Sequence, residues 1–268
     1  MSRISSTFEQ LKQNSKKALI PFITAGDPAP ELTVPLMHKL VESGASMLEL
    51  GVPFSDPMAD GPVIQKASER ALEHKVSMRD VLAMVKEFRL TNQTTPVILM
   101  GYLNPVEVMG YDVFAEEAAQ AGVDGAITVD IPPEEGNEFL QALKSRNIDP
   151  IFLIAPTSSD QRITMISEAA QGFVYYVSLK GVTGAATLDI AAVGEKIQHM
   201  RDIVSIPIGV GFGISDAQMA AEMSKISDAV IVGSALVRKI EENLGNPDKI
   251  MEEAGSLISG MRQQMDCA

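Results

Sequence analysis

The sequence predicts a closed (β/α)8 barrel with an extra N-terminal helix, and three observations carry that prediction. Eight short apolar, β-rich runs recur along the 268 residues. Their starts lie about 23 to 33 residues apart, the length of one βα unit, apart from one gap of about 50 that must hold an insertion. The first βα turn, Thr24-Ala25-Gly26-Asp27-Pro28, lacks the glycine fingerprint that a doubly wound, dinucleotide-binding sheet would place there.

In chain order, residues 6–14 come first, as a helix placed to plug the barrel floor. The apolar runs follow at Ala18–Thr24, 46–50, 96–100, 124–129, 150–154, 173–177, 206–210 and 229–233. Each is nearly continuous in apolar residues, as parallel strands covered on both faces must be. Between them, residues 31–43 set Leu32, Leu36 and Leu40 on one helical stripe and end at Gly44, a C-terminal cap. Residues 112–121 end at Gly122 in the same way, and Ser215-Asp216 opens the segment before Met219 and Met223 as an N-cap would. No linker, low-complexity tract or charge block interrupts the pattern, so residues 1–268 read as a single domain.

Composition narrows the function. With 46% hydrophobic residues there is material for a large core. The net charge of −13 repels phosphate backbones and anionic lipid, which argues against nucleic-acid and membrane-surface roles but leaves room for a local site binding a small anion. One cysteine, Cys267, makes neither an internal disulfide nor a thiolate metal cage. Residues 1–17 lack the apolar core of a signal peptide, and no run approaches the ~20 apolar residues of a membrane span. The expectation is a cytoplasmic protein.

Barrel chemistry gathers at the C-terminal strand ends. The second run carries Glu49 within an apolar strand, where a carboxylate is costly unless paired or used. It is therefore either bonded to an Arg or backbone amide, or an acid/base whose burial raises its pKa. Residues 51–62 follow, a loop with three prolines, two glycines, Asp56 and Asp60. Asp60-Gly61 fits a plain turn, whereas so long a shaped loop favours function. Runs seven and eight end in Gly211-Phe212-Gly213-Ile214 and Gly233-Ser234-Ala235, turns that let backbone N–H groups approach a phosphate. The sixth ends in Ser178-Leu179-Lys180-Gly181-Val182-Thr183-Gly184, a glycine-rich lid in which Lys180 is either a Schiff-base lysine or a solvated one. His38, His74 and His199 fall on predicted helices, so no metal site is expected.

Together these residues resemble the tryptophan synthase α subunit family. The carriers are Leu48-Glu49-Leu50-Gly51-Val52-Pro53-Phe54-Ser55-Asp56-Pro57 with Asp60-Gly61-Pro62, then Gly181-Val182-Thr183-Gly184, Gly211-Phe212-Gly213-Ile214 and Gly233-Ser234-Ala235, joined by Pro21-Phe22-Ile23-Thr24-Ala25-Gly26-Asp27-Pro28. The resemblance implies a carbon–carbon lyase that splits indole-3-glycerol phosphate into indole and glyceraldehyde 3-phosphate. Glu49 would be the acid/base and Asp60 the carboxylate at the indole N–H. Phe22, Tyr175 and Phe212 would surround the indole; Gly184, Gly213, Gly233 and Ser234 would hold the phosphate; Gly211 would also bind substrate; Thr183 would meet Asp60 when the lid closes. With no ketone in such a substrate, Lys180 loses its reason for a Schiff base. The family also implies an α2β2 assembly, with Pro53, Asp56, Pro57 and Asn104 facing a β subunit that carries pyridoxal phosphate; no cofactor is expected in this chain. Leu179-Lys180 departs from the family, in which a basic residue often follows the Ser directly. Two alternatives stand beside this reading: another phosphate-binding barrel, an isomerase or epimerase, and a non-catalytic regulatory barrel.

Overall fold

The structure is a computed structural model that describes residues 2–177, 190–211 and 213–268. Its eight parallel strands close in sequence order: β1 (Ala18–Thr24), β2 (Leu48–Gly51), β3 (Val97–Gly101), β4 (Gly125–Thr128), β5 (Asp149–Ile154), β6 (Val174–Val177), β7 (Ile208–Gly211) and β8 (Ala229–Val232). The ring shuts where Ala18 pairs with Ala229 and Pro21 with Val232. Every run read from the sequence becomes a strand, with ends shifted by a residue or two. Two of the shifts have a plain cause. Pro96 and Pro207 have no N–H to give the ladder, so β3 begins at Val97 and β7 at Ile208.

Alternation along the strands separates two cores. Leu19, Ile23, Leu48, Leu50 and Leu99 face outward onto the helices. Ala18, Ile20, Met47, Ile98, Ile127, Ile151, Phe173 and Ile231 fill the inside of the barrel, which is thereby a packed core rather than a pore. Twelve helices are present among the described residues: α1 (Arg3–Gln13), α2 (Pro30–Glu42), α3 (Pro62–Glu73), α4 (Met78–Phe88), α5 (Leu103–Met109), α6 (Tyr111–Ala121), α7 (Asn137–Ser145), α8 (Asp160–Ala169), α9 (Ile190–Arg201), α10 (Ala217–Ile226), α11 (Ser234–Glu241) and α12 (Pro247–Asp266).

Helix α1 is the floor plug that the sequence led us to expect. It starts at Arg3 rather than residue 6, because Ser2 caps it by accepting from the Ser5 N–H at 3.2 Å. Ile4 and Phe8 enter the inner core, and Phe8 meets Phe173 edge-on at 5.8 Å between ring centroids. Polar bonds lock the plug to the strand starts. Ser2 Oγ donates to Asp149 at 2.6 Å, and Arg3 pairs with Asp124 at 2.8 Å. Asp124 also takes a bond from Arg89 at 2.6 Å and the Val97 N–H at 2.8 Å, so this buried carboxylate is fully paired.

The gap between β2 and β3 holds a loop over residues 52–61 followed by two helices, α3 and α4, the second opened by a Ser77–Asp80 capping box. Gly44 and Gly122 stand just past or at their helix ends with φ of 104° and 89°, and Asp216 caps α10 by accepting from the Met219 N–H at 2.9 Å. Two expectations need correction. The buried stripe of α2 is Thr33, Val34, Leu36, Met37 and Leu40, with Leu32 only half-buried at the edge of the inward face. His74 is the C-cap of α3, not a helical residue, and its ring bonds to the Pro28 carbonyl at 3.0 Å.

Candidate active site

Period-two alternation decides where Glu49 points. Met47 faces the barrel interior while Leu48 and Leu50 face the helices, so Glu49 projects inward one layer above Met47. It is in register with Phe22 on β1 and Ile98 on β3, and it is 1% exposed. Its Oε2 finds no hydrogen-bond partner among the described residues. Among the described residues no arginine or backbone amide satisfies that atom. Burial, and then the charge of nearby Asp60, push its pKa up to about 8 from an ordinary 4.5. Beside it a small cleft opens, lined by Phe22, Thr24, Gly51, Asp60, Ile64, Met100 and Tyr102 among others; Glu49 is not in its lining, but Asp60 is close enough for its charge to act on Glu49.

Asp60 arrives from the loop after β2. Its backbone is pinned on both sides: the N–H donates to the Pro57 carbonyl at 3.0 Å, and its carbonyl accepts from Gln65 of α3 at 2.8 Å. Its carboxylate accepts from the Tyr102 hydroxyl at 2.9 Å, and the same hydroxyl accepts from the Ala59 N–H at 2.9 Å. Burial raises the Asp60 pKa, and the bond from Tyr102 opposes the rise.

The aromatic residues depend on glycines beside them. An added Cβ on Gly51 would lie 2.5 Å from the tip of the Phe22 ring, and one on Gly211 would overlap the Tyr175 hydroxyl. Both rings thus occupy space that any other residue would fill. Tyr175 is 5% exposed and belongs to the inner core; burial first, and then Glu49, hold its hydroxyl firmly protonated. The glycine turn at the end of β8 adjoins this wall, since a Cβ on Gly233 would stand 3.8 Å from the Phe22 Cβ. Gly233 is the N-cap of α11 and no side chain bonds to the cap, so the helix's first N–H groups and the exposed Ser234 face the mouth with the sign that suits an anion. Gly213 is exposed, at φ 82°.

Glu49, Asp60, Phe22, Tyr175, Gly211, Gly233 and Ser234 are therefore placed at one end of the barrel. Phe212, Lys180, Thr183 and Gly184 lie outside the described residues, as does the Leu179 departure. Among the residues proposed to face a partner, Asp56 and Asn104 are exposed, Pro57 is half-buried and Pro53 is buried. Thr24 and Tyr102 were missed from the sequence, although both stand at or just past strand ends, where function concentrates. Among the described residues no three His, Cys, Asp or Glu side chains converge as metal ligands would, and no helix is long and apolar enough to cross a membrane.

Comparison with known proteins agrees with the fold. The family model described as tryptophan synthase alpha chain matches residues 8–266. The chain is 60% identical to the tryptophan synthase alpha chain of Thioalkalivibrio sulfidiphilus, over 99% of this chain and 100% of that one. It is 56% identical to that of Marinobacter nauticus, over 99% and 98%. Among solved structures, the tryptophan synthase subunit alpha of Legionella pneumophila superposes with a TM-score of 0.93 at 48% identity, covering 100% of both chains. A chain of tryptophan synthase from M. tuberculosis in an aminoacrylate-bound form superposes at 0.86 with 36% identity, over 97% and 100%.

Proposed function

The chain belongs to the tryptophan synthase alpha chain family, and from that premise we infer that Glu49 and Asp60 perform its lyase reaction. The activity is cleavage of indole-3-glycerol phosphate to indole and glyceraldehyde 3-phosphate. Neither the isomerase nor the regulatory-barrel alternative has support.

The carbon–carbon bond to indole C3 breaks only after C3 gains a proton. A carboxyl with its pKa near 8 holds that proton at neutral pH, so Glu49 donates it. The ring becomes a cation centred on its nitrogen. Asp60, which lines the cleft, places negative charge beside the N–H, where shielding from water makes it most effective. Glu49, now ionised, takes the proton of the adjacent side-chain hydroxyl. That oxygen becomes the aldehyde carbonyl, and the electrons of the broken bond return to the ring and restore neutral indole. The proton is back on Glu49, so the cycle balances. Phe22 and Tyr175 flank the ring; Gly211, Gly213, Gly233 and Ser234 supply the phosphate turns, with Phe212, Thr183 and Gly184 completing the pocket on the family's pattern.

One observation carries this assignment: an inward carboxylic acid, without a partner at Oε2 among the described residues, lies within reach of the charge of a second carboxylate that lines a cleft. Its test is indole release by Glu49→Gln and Asp60→Asn, each with native circular dichroism. Loss of release in both is expected; wild-type turnover in either removes that residue's role. We also assign the exposed Asp56 and Asn104 to a face that docks a β subunit in an α2β2 assembly, whose pyridoxal phosphate belongs to that partner. Adding a matching β subunit should raise indole release markedly; no change on saturation would refute the docking face.

A further inference from the structure

Tyr102 stands just past β3 as the N-cap residue of α5, and it is 5% exposed. Its ring is stacked under Phe54, with centroids 5.0 Å apart and planes inclined by 27°. Its hydroxyl uses both of its hydrogen-bonding capacities on consecutive residues of one loop, accepting from Ala59 N–H and donating to Asp60 Oδ2, each at 2.9 Å. A hydroxyl so engaged has no freedom to rotate, and the loop tip cannot shift without breaking one of the two bonds. Phe54 in turn is half-buried and continues into the exposed Ser55 and Asp56. Sequence motifs give no hint of this link, because the partners are 42 and 43 residues apart.

We propose that Tyr102 is a positioning residue of the lyase: its hydroxyl, carried on a ring backed by Phe54, aims the Asp60 carboxylate at the nitrogen of the indole ring. This rests on the role given to Asp60 above. Donation from a phenol favours the ionised over the protonated carboxyl, so the same bond that orients Asp60 also opposes the rise in its pKa that burial imposes. The phenol itself stays protonated, since burial and then the Asp60 charge both raise its pKa. The other titratable groups facing this pair are Glu49 on β2 and Asp130 beyond β4, whose carboxylate accepts from the Leu103 N–H at 2.8 Å and whose charge acts on Tyr102.

Tyr102→Phe keeps the ring and its stack and removes only the hydroxyl. Losing one hydrogen bond to a charged group should lower kcat about tenfold to hundredfold, with KM changed less than about threefold. The acid limb of the kcat/KM profile should move to higher pH by about one unit, because Asp60 then protonates more readily. A carbon-13 titration of the Asp60 carboxyl should move the same way without relying on turnover. An unshifted acid limb and an unshifted Asp60 titration would overturn the proposal, even if kcat fell, since a merely structural tyrosine would leave both in place. If Tyr102→Phe lost native circular dichroism, Phe54→Leu would serve, because freeing the ring must shift the same limb in the same direction. Glu49→Gln and Asp60→Asn, assayed alongside, separate the two ideas. If they retain turnover the lyase roles fail, whereas if they lose it and Tyr102→Phe behaves as wild type, only the positioning role fails.

Discussion

Glu49 has two protonation states, and the reaction needs both in turn. Because it must begin as the acid, kcat/KM should fall above about pH 8; because Asp60 must be ionised, it should also fall on the acid side. A profile flat across pH 8 would contradict the order of proton transfers. Glu49→Gln should lose about 10²- to 10⁴-fold in activity, the usual reach of general acid–base catalysis. The same group sets a stability trend. In the fold the carboxyl stays neutral up to about pH 8, whereas in the unfolded chain it ionises around 4.5. The folded state thus binds the extra proton, so its advantage is full below 4.5 and is lost as pH rises from there to about 8. Glu49→Gln has no such loss, and urea unfolding should find it more stable than wild type by a few kcal/mol at pH 8.5 and nearly equal at pH 5, an order-of-magnitude figure from the size of the shift. Parallel curves at the two pH values would show that burial does not bear on this group.

Elements divide into those legible from local pattern and those that are not. The strands were legible because a parallel strand covered on both faces needs an unbroken apolar run, and 18–24 or 229–232 cannot be read otherwise. Glu49 was legible for the opposite reason: one charge in such a run stands out. The α2 stripe was misread because three leucines four apart suggest a face, yet the helix seats Thr33, Val34 and Met37 inward as well, which only packing onto the barrel decides. The part Tyr102 plays was illegible because it comes from two bonds to a loop 42 and 43 residues away in the chain. The turns after β7 and β8 lie between these cases, since their glycines, Gly213 and Gly233, are visible but their exposure is not. Gly213, at φ 82°, gives the turn after β7 its test. An alanine there is strained by about 1–2 kcal/mol and must turn the amide away, so calorimetry with glycerol phosphate should show binding weakened about tenfold by Gly213→Ala. Unchanged affinity would take that turn out of the phosphate site.

For the whole molecule, the two ends of the barrel have different duties. The mouth holds Glu49, Asp60 and the glycine turns, whereas the floor is filled by α1 and its bonds to Asp124 and Asp149. Ile4→Ala should therefore destabilise the fold by about 2–5 kcal/mol while leaving kcat at permissive temperature within about twofold of wild type. A large fall in kcat without a fall in stability would show that the floor communicates with the chemistry.

The stopper that α1 makes also bears on traffic. With the interior packed and its base stoppered, no passage runs down the barrel axis among the described residues. The cleft that Asp60 lines opens at the opposite end, so ligand traffic and floor stability are separate matters.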